Sequence, residues 1–275
     1  MIETEIIVKQ LLDKLPELAR RVMDDRPENE NFRLTPDDPK EHVAQWHQFG
    51  IITHTGVFSQ VYKNEAQEYL KTWKLDSKIG EKLSEQVDGK SKGELLHIGI
   101  VFHDLGKFAR NFKEKNGKLS HNFFGHEATS EKLINEDEYI YNLLSKTYKL
   151  THQQIVYIGR CAGLHFELGK GRDATRRTDM GYTIAFANSE ACQESCKAIA
   201  DKYPEFNVEI GILYLCDSLA KTDVRIHAES DAKIEEQTEK IEQIIKERNL
   251  NPHLIGAIKQ LPVNLAVVRK YLELL

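Results

Sequence analysis

Apolar residues recur at three- and four-residue steps along most of this chain. In residues 2–24, for example, the apolar positions include Ile7, Leu11, Leu15 and Val22. This spacing puts the apolar side chains on one face of a helix, where they can be buried against other elements. The same period predicts further helices at about 51–73, 76–87, 92–105, 123–134, 139–148, 152–166, 187–201, 206–222, 230–248 and 253–274.

Turn and cap residues divide this pattern into segments. Ser91 is expected to cap the helix that follows it, with Glu94 as its capping-box partner, and Thr151 is expected to cap another. Residues 24–39 collect prolines and are expected to form a loop, and the glycines and arginines of 169–181 predict a second, polar loop.

Strand patterns are weak, because no sustained alternation of apolar and polar residues occurs. The predicted fold class is therefore all-α, with about ten helices. We expect a single domain over residues 1–275, with a core at about 45–225. The N-terminal helix 2–24 and the C-terminal helices 230–274 are expected to be additions to this core.

Composition excludes few functions, but it bears on nucleic-acid binding, membrane insertion and cellular location. The chain has 275 residues, 38 basic and 43 acidic, for a net charge of -5, so general attraction to nucleic acid is not expected. No run of about 18 apolar residues and no leader-type N-terminus is present, so we expect a cytoplasmic protein without a membrane span. The four cysteines are expected to be reduced thiols.

One apolar stretch ends in an unusual polar pair. Residues 95–102 are mostly apolar, and His103 and Asp104 follow directly. A buried imidazole and carboxylate side by side need a partner, because an unpaired buried charge costs several kcal/mol. A metal ion accepts both ligand types, so this pair predicts a metal site.

Other segments offer the remaining ligands. His54 and Asp217 also interrupt or end apolar stretches, and three helices would have to converge to bring them to His103 and Asp104. His126 and His165, each at a predicted helix end, would suit a second ion. The other histidines, His47 among them, are expected to be ordinary hydrogen-bonded core or surface residues.

The ordered set His54, His103-Asp104 and Asp217 resembles the signature of the HD superfamily of metal-dependent phosphohydrolases. The continuation Leu105-Gly106-Lys107 is similar to the fuller form of the motif in several of its branches, and Gly125-His126-Glu127 resembles a histidine motif of tRNA nucleotidyltransferase HD domains. The resemblance covers about 45–225 and implies an HD-type helical domain.

The resemblance also implies a site and a chemistry. The first ion would bind His54, His103, Asp104 and Asp217. Asp104 would bridge to a second ion, which His126 and His165 would also hold. Lys107 is expected to bind a phosphate or the leaving oxygen, and the arginines expected to bind further phosphate are Arg172, Arg176 and Arg177.

The implied function is hydrolysis of a phosphomonoester or phosphodiester, of a nucleotide in particular, by metal-activated water. One or two divalent ions are expected, from among Mn, Fe, Ni, Zn, Co and Mg. An HD-type nuclease or RNA/DNA end-processing phosphodiesterase, similar to CRISPR-associated nucleases and acting on single strands, is one alternative. A non-catalytic module that binds metal or nucleotide is another.

Overall fold

A computed structural model of the chain describes residues 3–24, 37, 47–109, 111–115, 118–175, 187–226, 230–248 and 255–275. Within these ranges it contains 13 α-helices and almost no strand, which confirms the all-α prediction. The helices are α1 (Thr4–Asp24), α2 (Ile51–Asn64), α3 (Ala66–Thr72), α4 (Asp76–Ser84), α5 (Lys92–Phe102), α6 (His126–Glu136), α7 (Glu138–Asn142), α8 (His152–Leu164), α9 (Glu167–Thr175), α10 (Glu190–Lys202), α11 (Asn207–Ala220), α12 (Asp231–Glu247) and α13 (Ile255–Leu274).

Short elements interrupt the helices. A single 3₁₀ turn covers Leu105–Lys107, and a π-helical turn, Leu143–Thr147, continues α7. The structure also contains two antiparallel strand pairs, β1 (Gln86–Val87) with β2 (Lys90–Ser91), and β3 (Asn111–Lys115) with β4 (Lys118–Asn122). The sequence pattern did not predict these strands. These strands have too few β-branched residues, or are too short, to show a period-two pattern.

The chain divides into two compact units, and each is built from two separate stretches of sequence. Unit 1 contains Met1–Asp38 and Ser84–Leu164, and unit 2 contains Pro39–Leu83 and His165–Leu275. The prediction of a single domain over residues 1–275 stays a prediction.

In unit 1 the apolar helix α5 is the central element. It packs against α1 and α8, and α8 also packs against α6. Gly99 of α5 allows the close approach of α8, since a Cβ there would lie 3.0 Å from Cys161 Cβ and 3.3 Å from Ile158 O. α1 contributes Ile7, Leu11 and other fully buried side chains to the interior of this unit.

Unit 2 is organised around α11 and α13. These two helices pack against each other, and α2 packs against α11. Every residue of α11 from Val208 to Ala220 is buried. Most of α13, including Leu265 and Val268, is also buried, so this helix contributes side chains to the interior of unit 2.

The predicted caps are present, whereas the predicted loop at 169–181 is wrong up to residue 175 and lies outside the described residues beyond it. Ser91 and Glu94 form a full capping box at α5. Thr151 and Gln154 bond each other's backbone N–H groups at α8. Residues up to 175 of the predicted loop 169–181 belong to α9 instead, because the glycines serve packing: a Cβ at Gly171 would meet Ile199 of α10 at 2.5 Å.

Three further predictions concern the cysteines, a membrane span and the loop at 24–39. All four cysteines are buried free thiols, as predicted. Across the ranges that the structure describes, no helix has both the length and the apolar character needed to cross a membrane. Apart from Asp24 and Asp37, the predicted loop at 24–39 lies outside the described residues.

Candidate metal centre

Four polar side chains of unit 1 meet where α5 ends; we call them the His103 cluster. Its members are His103, Asp104, Lys107 and His126. The capping box at Ser91 begins α5, whose residues from Leu95 to Phe102 are all buried, and the helix therefore delivers its last residues to a buried position. His103 and Asp104 are 0% and 1% exposed, so each needs a polar partner inside the protein.

Asp104 is the centre of the His103 cluster. Its Oδ2 lies 2.6 Å from Lys107 Nζ and 3.2 Å from His103 Nε2, and its Oδ1 lies 3.1 Å from His126 Nε2. Lys107 is itself buried, and its ammonium lies 5.8 Å from the centroid of the Phe123 ring. One carboxylate is therefore surrounded by two imidazoles and an ammonium group.

A glycine and a serine hold α6 close to this carboxylate. Gly106 N donates to Ser130 Oγ (2.8 Å), and Ser130 Oγ donates to His103 O (2.8 Å). A Cβ at Gly106 would lie 2.1 Å from His126 O, so only glycine permits this approach. The glycine of the motif thus positions His126, the first residue of α6, beside Asp104.

The surroundings keep Asp104 ionised. Burial by itself raises the pKa of the Asp104 carboxyl. The charges of His103 and Lys107, together with the close approach of the His103 and His126 rings, outweigh burial and hold that pKa well below its usual range. Asp104 is therefore a buried anion near neutral pH.

Unit 2 contains a second group of the same kind, the Asp217 cluster, formed by His54, Asp217 and Lys221. His54 lies on α2 and Asp217 on α11, which pack against each other. Asp217 Oδ1 lies 3.1 Å from His54 Nε2, and its Oδ2 lies 2.9 Å from Lys221 Nζ. The Lys221 ammonium lies 5.2 Å from the centroid of the Phe166 ring.

Asp217 is also a buried anion. Burial raises the pKa of the Asp217 carboxyl, but Lys221 and His54 lower it by more, and His165 adds to their effect, so the pKa lies well below its usual range. His165 is 3% exposed and stands in the sequence after the last residue of α8 and before the first residues of α9. Its electrostatic effect places this predicted ligand near Asp217.

Three histidines of the two clusters are oriented in the same way. Nδ1 lies 2.7 Å from Ile100 O in His103, 2.7 Å from Phe123 O in His126 and 3.1 Å from Ala220 O in His54. A carbonyl oxygen only accepts, so each Nδ1 carries a proton and donates it. In a neutral ring the lone pair then lies on Nε2, the atom that faces the carboxylate oxygen.

Of the three arginines predicted to bind phosphate, the structure describes one, Arg172. Arg172 is 4% exposed and donates to Asn264 Oδ1 and to Asp173 Oδ1. Tyr214 also donates to Asn264 Oδ1, so Arg172 belongs to a buried network of unit 2. Arg176 and Arg177 lie outside the described residues.

His47 is the residue that sequence reasoning missed. Its ring meets that of His54 edge to face, with centroids 5.1 Å apart. It stands before α2, among residues without a helical pattern, and the sequence does not assign it a ligand role. Only the folded chain brings it to the Asp217 cluster.

Buried histidine and aspartate side chains of this protein could hold a metal ion. In unit 2 a ligand atom from each of His47, His54 and Asp217 lies within 4.8 Å of the other two. In unit 1 two Nε2 atoms approach the oxygens of Asp104. The convergence of all six predicted ligands on one centre stays a prediction.

Comparison of the chain with models of known protein families, with curated proteins and with solved structures finds no match.

Proposed function

We propose that this protein is a metal-dependent phosphohydrolase of the HD type, which hydrolyses a phosphomonoester or phosphodiester of a nucleotide. The observation that carries the proposal is the shared orientation of His54, His103 and His126. Each ring donates from Nδ1 to a backbone carbonyl and turns Nε2 toward a buried carboxylate oxygen.

This orientation calls for positive charge between the facing atoms. A neutral ring would point a lone pair at an anionic oxygen 3.1–3.2 Å away, which is repulsive. Either a second proton on each ring or a cation bound by both atoms removes the repulsion. Metal-binding histidines commonly donate their other ring N–H to a backbone carbonyl, as these three do.

Within each cluster, the distance between the facing nitrogen and oxygen suits two ligands of the same ion. Two ligand atoms that bind an ion at about 2.1 Å and at right angles lie about 3.0 Å apart. The nitrogen–oxygen distances of 3.1 Å for His54 and Asp217 and 3.1 Å for His126 and Asp104 are close to this value. A set of imidazole and carboxylate ligands favours Mn, Fe, Co, Ni or Zn. Ca, by contrast, typically binds at sites made of oxygen ligands alone.

When bound, a divalent ion lowers the pKa of its water ligand and neutralises charge on phosphoryl oxygens, which is the chemistry that phosphoester hydrolysis needs. His103 and His126 would hold it through Nε2 and Asp104 through its carboxylate. Lys107 supplies a buried ammonium next to Asp104 Oδ2, where it can bind a phosphoryl oxygen. We place Lys107 as the phosphate-binding cation of the site.

Metal analysis combined with a phosphoester screen tests the proposal. The metal-stripped chain is reloaded with Mn, Mg, Ni, Co or Zn and assayed on nucleoside monophosphates, cyclic nucleotides and short single-stranded oligonucleotides. We expect a bound ion and hydrolysis of at least one nucleotide. Asp104→Asn should lower the rate by more than about 100-fold, because it removes a ligand rather than a residue that only orients one.

The control is His152→Ala, since His152 is exposed and bonds only the Tyr141 hydroxyl among the contacts seen for it. This variant should keep wild-type activity. Binding of metal and nucleotide without turnover of any substrate would reject hydrolysis and favour a non-catalytic module. Full activity in Asp104→Asn would reject the site.

A further inference from the structure

A third side chain of unit 2 stands beside the His54–Asp217 pair. His47, His54 and Asp217 are all buried, and one ligand atom from each lies within 4.8 Å of the other two. Two imidazoles and one carboxylate make up a donor set that occurs in transition-metal sites of proteins.

The backbone next to His47 is tied to the helix that carries Asp217. Gln48 N donates to Lys221 O (2.8 Å) at the C-terminal end of α11. The Gln48 side-chain oxygen accepts from Asp223 N (2.9 Å) and from Thr222 Oγ1 (3.3 Å). These bonds hold His47 in place relative to Asp217, although His47 itself lies outside any helix.

Lys221 and His54 contact different oxygens of the Asp217 carboxylate. Lys221 Nζ occupies Oδ2, whereas Oδ1 faces His54 Nε2. His47 approaches the same histidine, with the two ring centroids 5.1 Å apart. The imidazole groups and the carboxylate oxygen therefore gather on one side of Asp217, and the lysine lies on the other.

We propose that His47 is a metal ligand, and that His47, His54 and Asp217 form a His-His-Asp set that selects a first-row transition ion over Mg. The inference rests on the proposed function for the presence of a metal ion, and adds His47 to the candidate ligands His54 and Asp217 of the Asp217 cluster. With two nitrogen donors in the set, Co, Zn, Ni or Fe should bind far more tightly than Mg, which prefers oxygen ligands.

Titration of the metal-stripped full chain with Co(II) tests this, by calorimetry and by visible absorption of the bound ion. We expect His47→Ala and His47→Gln to weaken binding by about 100-fold or more, and to change the absorption spectrum because a nitrogen ligand is lost. His54→Ala serves as the positive reference, and His152→Ala as the control. Urea unfolding without metal checks that each variant is folded.

The outcomes separate the two proposals. If the wild-type chain binds no Co(II), both the proposed function and the ligand assignment fail. If the wild-type chain binds Co(II) and His54→Ala weakens it, but folded His47→Gln keeps the wild-type affinity and spectrum, only the assignment of His47 is overturned. Wild-type affinity for Mg equal to that for Co(II) would overturn the selectivity.

Discussion

Gly106, in the sequence His103-Asp104-Leu105-Gly106-Lys107, has a steric role that a single methyl group can test. In Gly106→Ala the new Cβ would lie 2.1 Å from His126 O and 2.8 Å from Ser130 N. Both are backbone atoms of α6, so rotation of a side chain cannot relieve the overlap. The start of α6 would have to move by about 1 Å in a closely packed interior.

This movement should cost stability in two ways. Overpacking against backbone typically costs about 1–3 kcal/mol. The displacement also weakens the bonds of Ser130 to Gly106 N and His103 O, each 2.8 Å long and each worth about 1 kcal/mol. We therefore expect the free energy of unfolding to fall by about 2–4 kcal/mol.

The same displacement separates His126 Nε2 from Asp104 Oδ1, which lie 3.1 Å apart. Metal affinity should then fall by about 10–100-fold, the range for changes that misplace a ligand. Equilibrium unfolding in urea measures the first effect and metal titration the second.

Gly80→Ala is the matched control. Gly80 lies within α4, and a Cβ there would have no atom within 4 Å. Alanine in a helix interior is favoured over glycine by about 0.5–1 kcal/mol, so this variant should be slightly more stable than wild type. If Gly106→Ala unfolds at the same urea concentration as wild type and binds metal equally well, the steric argument is refuted.

Two further predictions concern the buried carboxylates of the metal-free protein. Lys107→Met should cost about 3–5 kcal/mol by leaving Asp104 without its ammonium partner, and saturating metal should reduce that cost because the ion supplies the positive charge; an equal cost with and without metal would contradict this. The lowered pKa of Asp217 stabilises the fold fully above the unfolded-state value of about 3.9, and this contribution is lost as the pH falls through the lower folded-state pKa. The stability of Asp217→Asn, from urea midpoints between pH 3 and 7, should therefore depend less on acid than that of wild type, and identical pH profiles would reject the reasoning.

Local patterns accounted for much of the fold. The Ser91–Glu94 capping box involves residues three apart, so a sequence pattern is sufficient to locate it. The helical period correctly marked the long helices because their buried faces repeat every three to four residues. By contrast, Gly171 favours a loop by its residue type, whereas its role in the fold depends on Ile199 of α10, a separate segment of the chain.

Some residues of the candidate site could be identified from the sequence and others could not. His103 and Asp104 could be singled out because a polar pair directly follows an apolar run, which is visible without a structure. His47 could not, because its place beside His54 and Asp217 comes from contacts with α2 and α11 rather than from its neighbours in sequence.

By itself, then, the sequence determined the helical class, the caps and the polar residues that end buried helices, since each depends on neighbours within about one turn. Only the tertiary structure decided which ring nitrogen donates and which faces a carboxylate. His54 and Asp217 are 163 positions apart, and their 3.1 Å contact exists because α2 and α11 pack together. Such packing sets the directions of hydrogen bonds and the partners of buried charges, and the apolar period along the chain does not predict them.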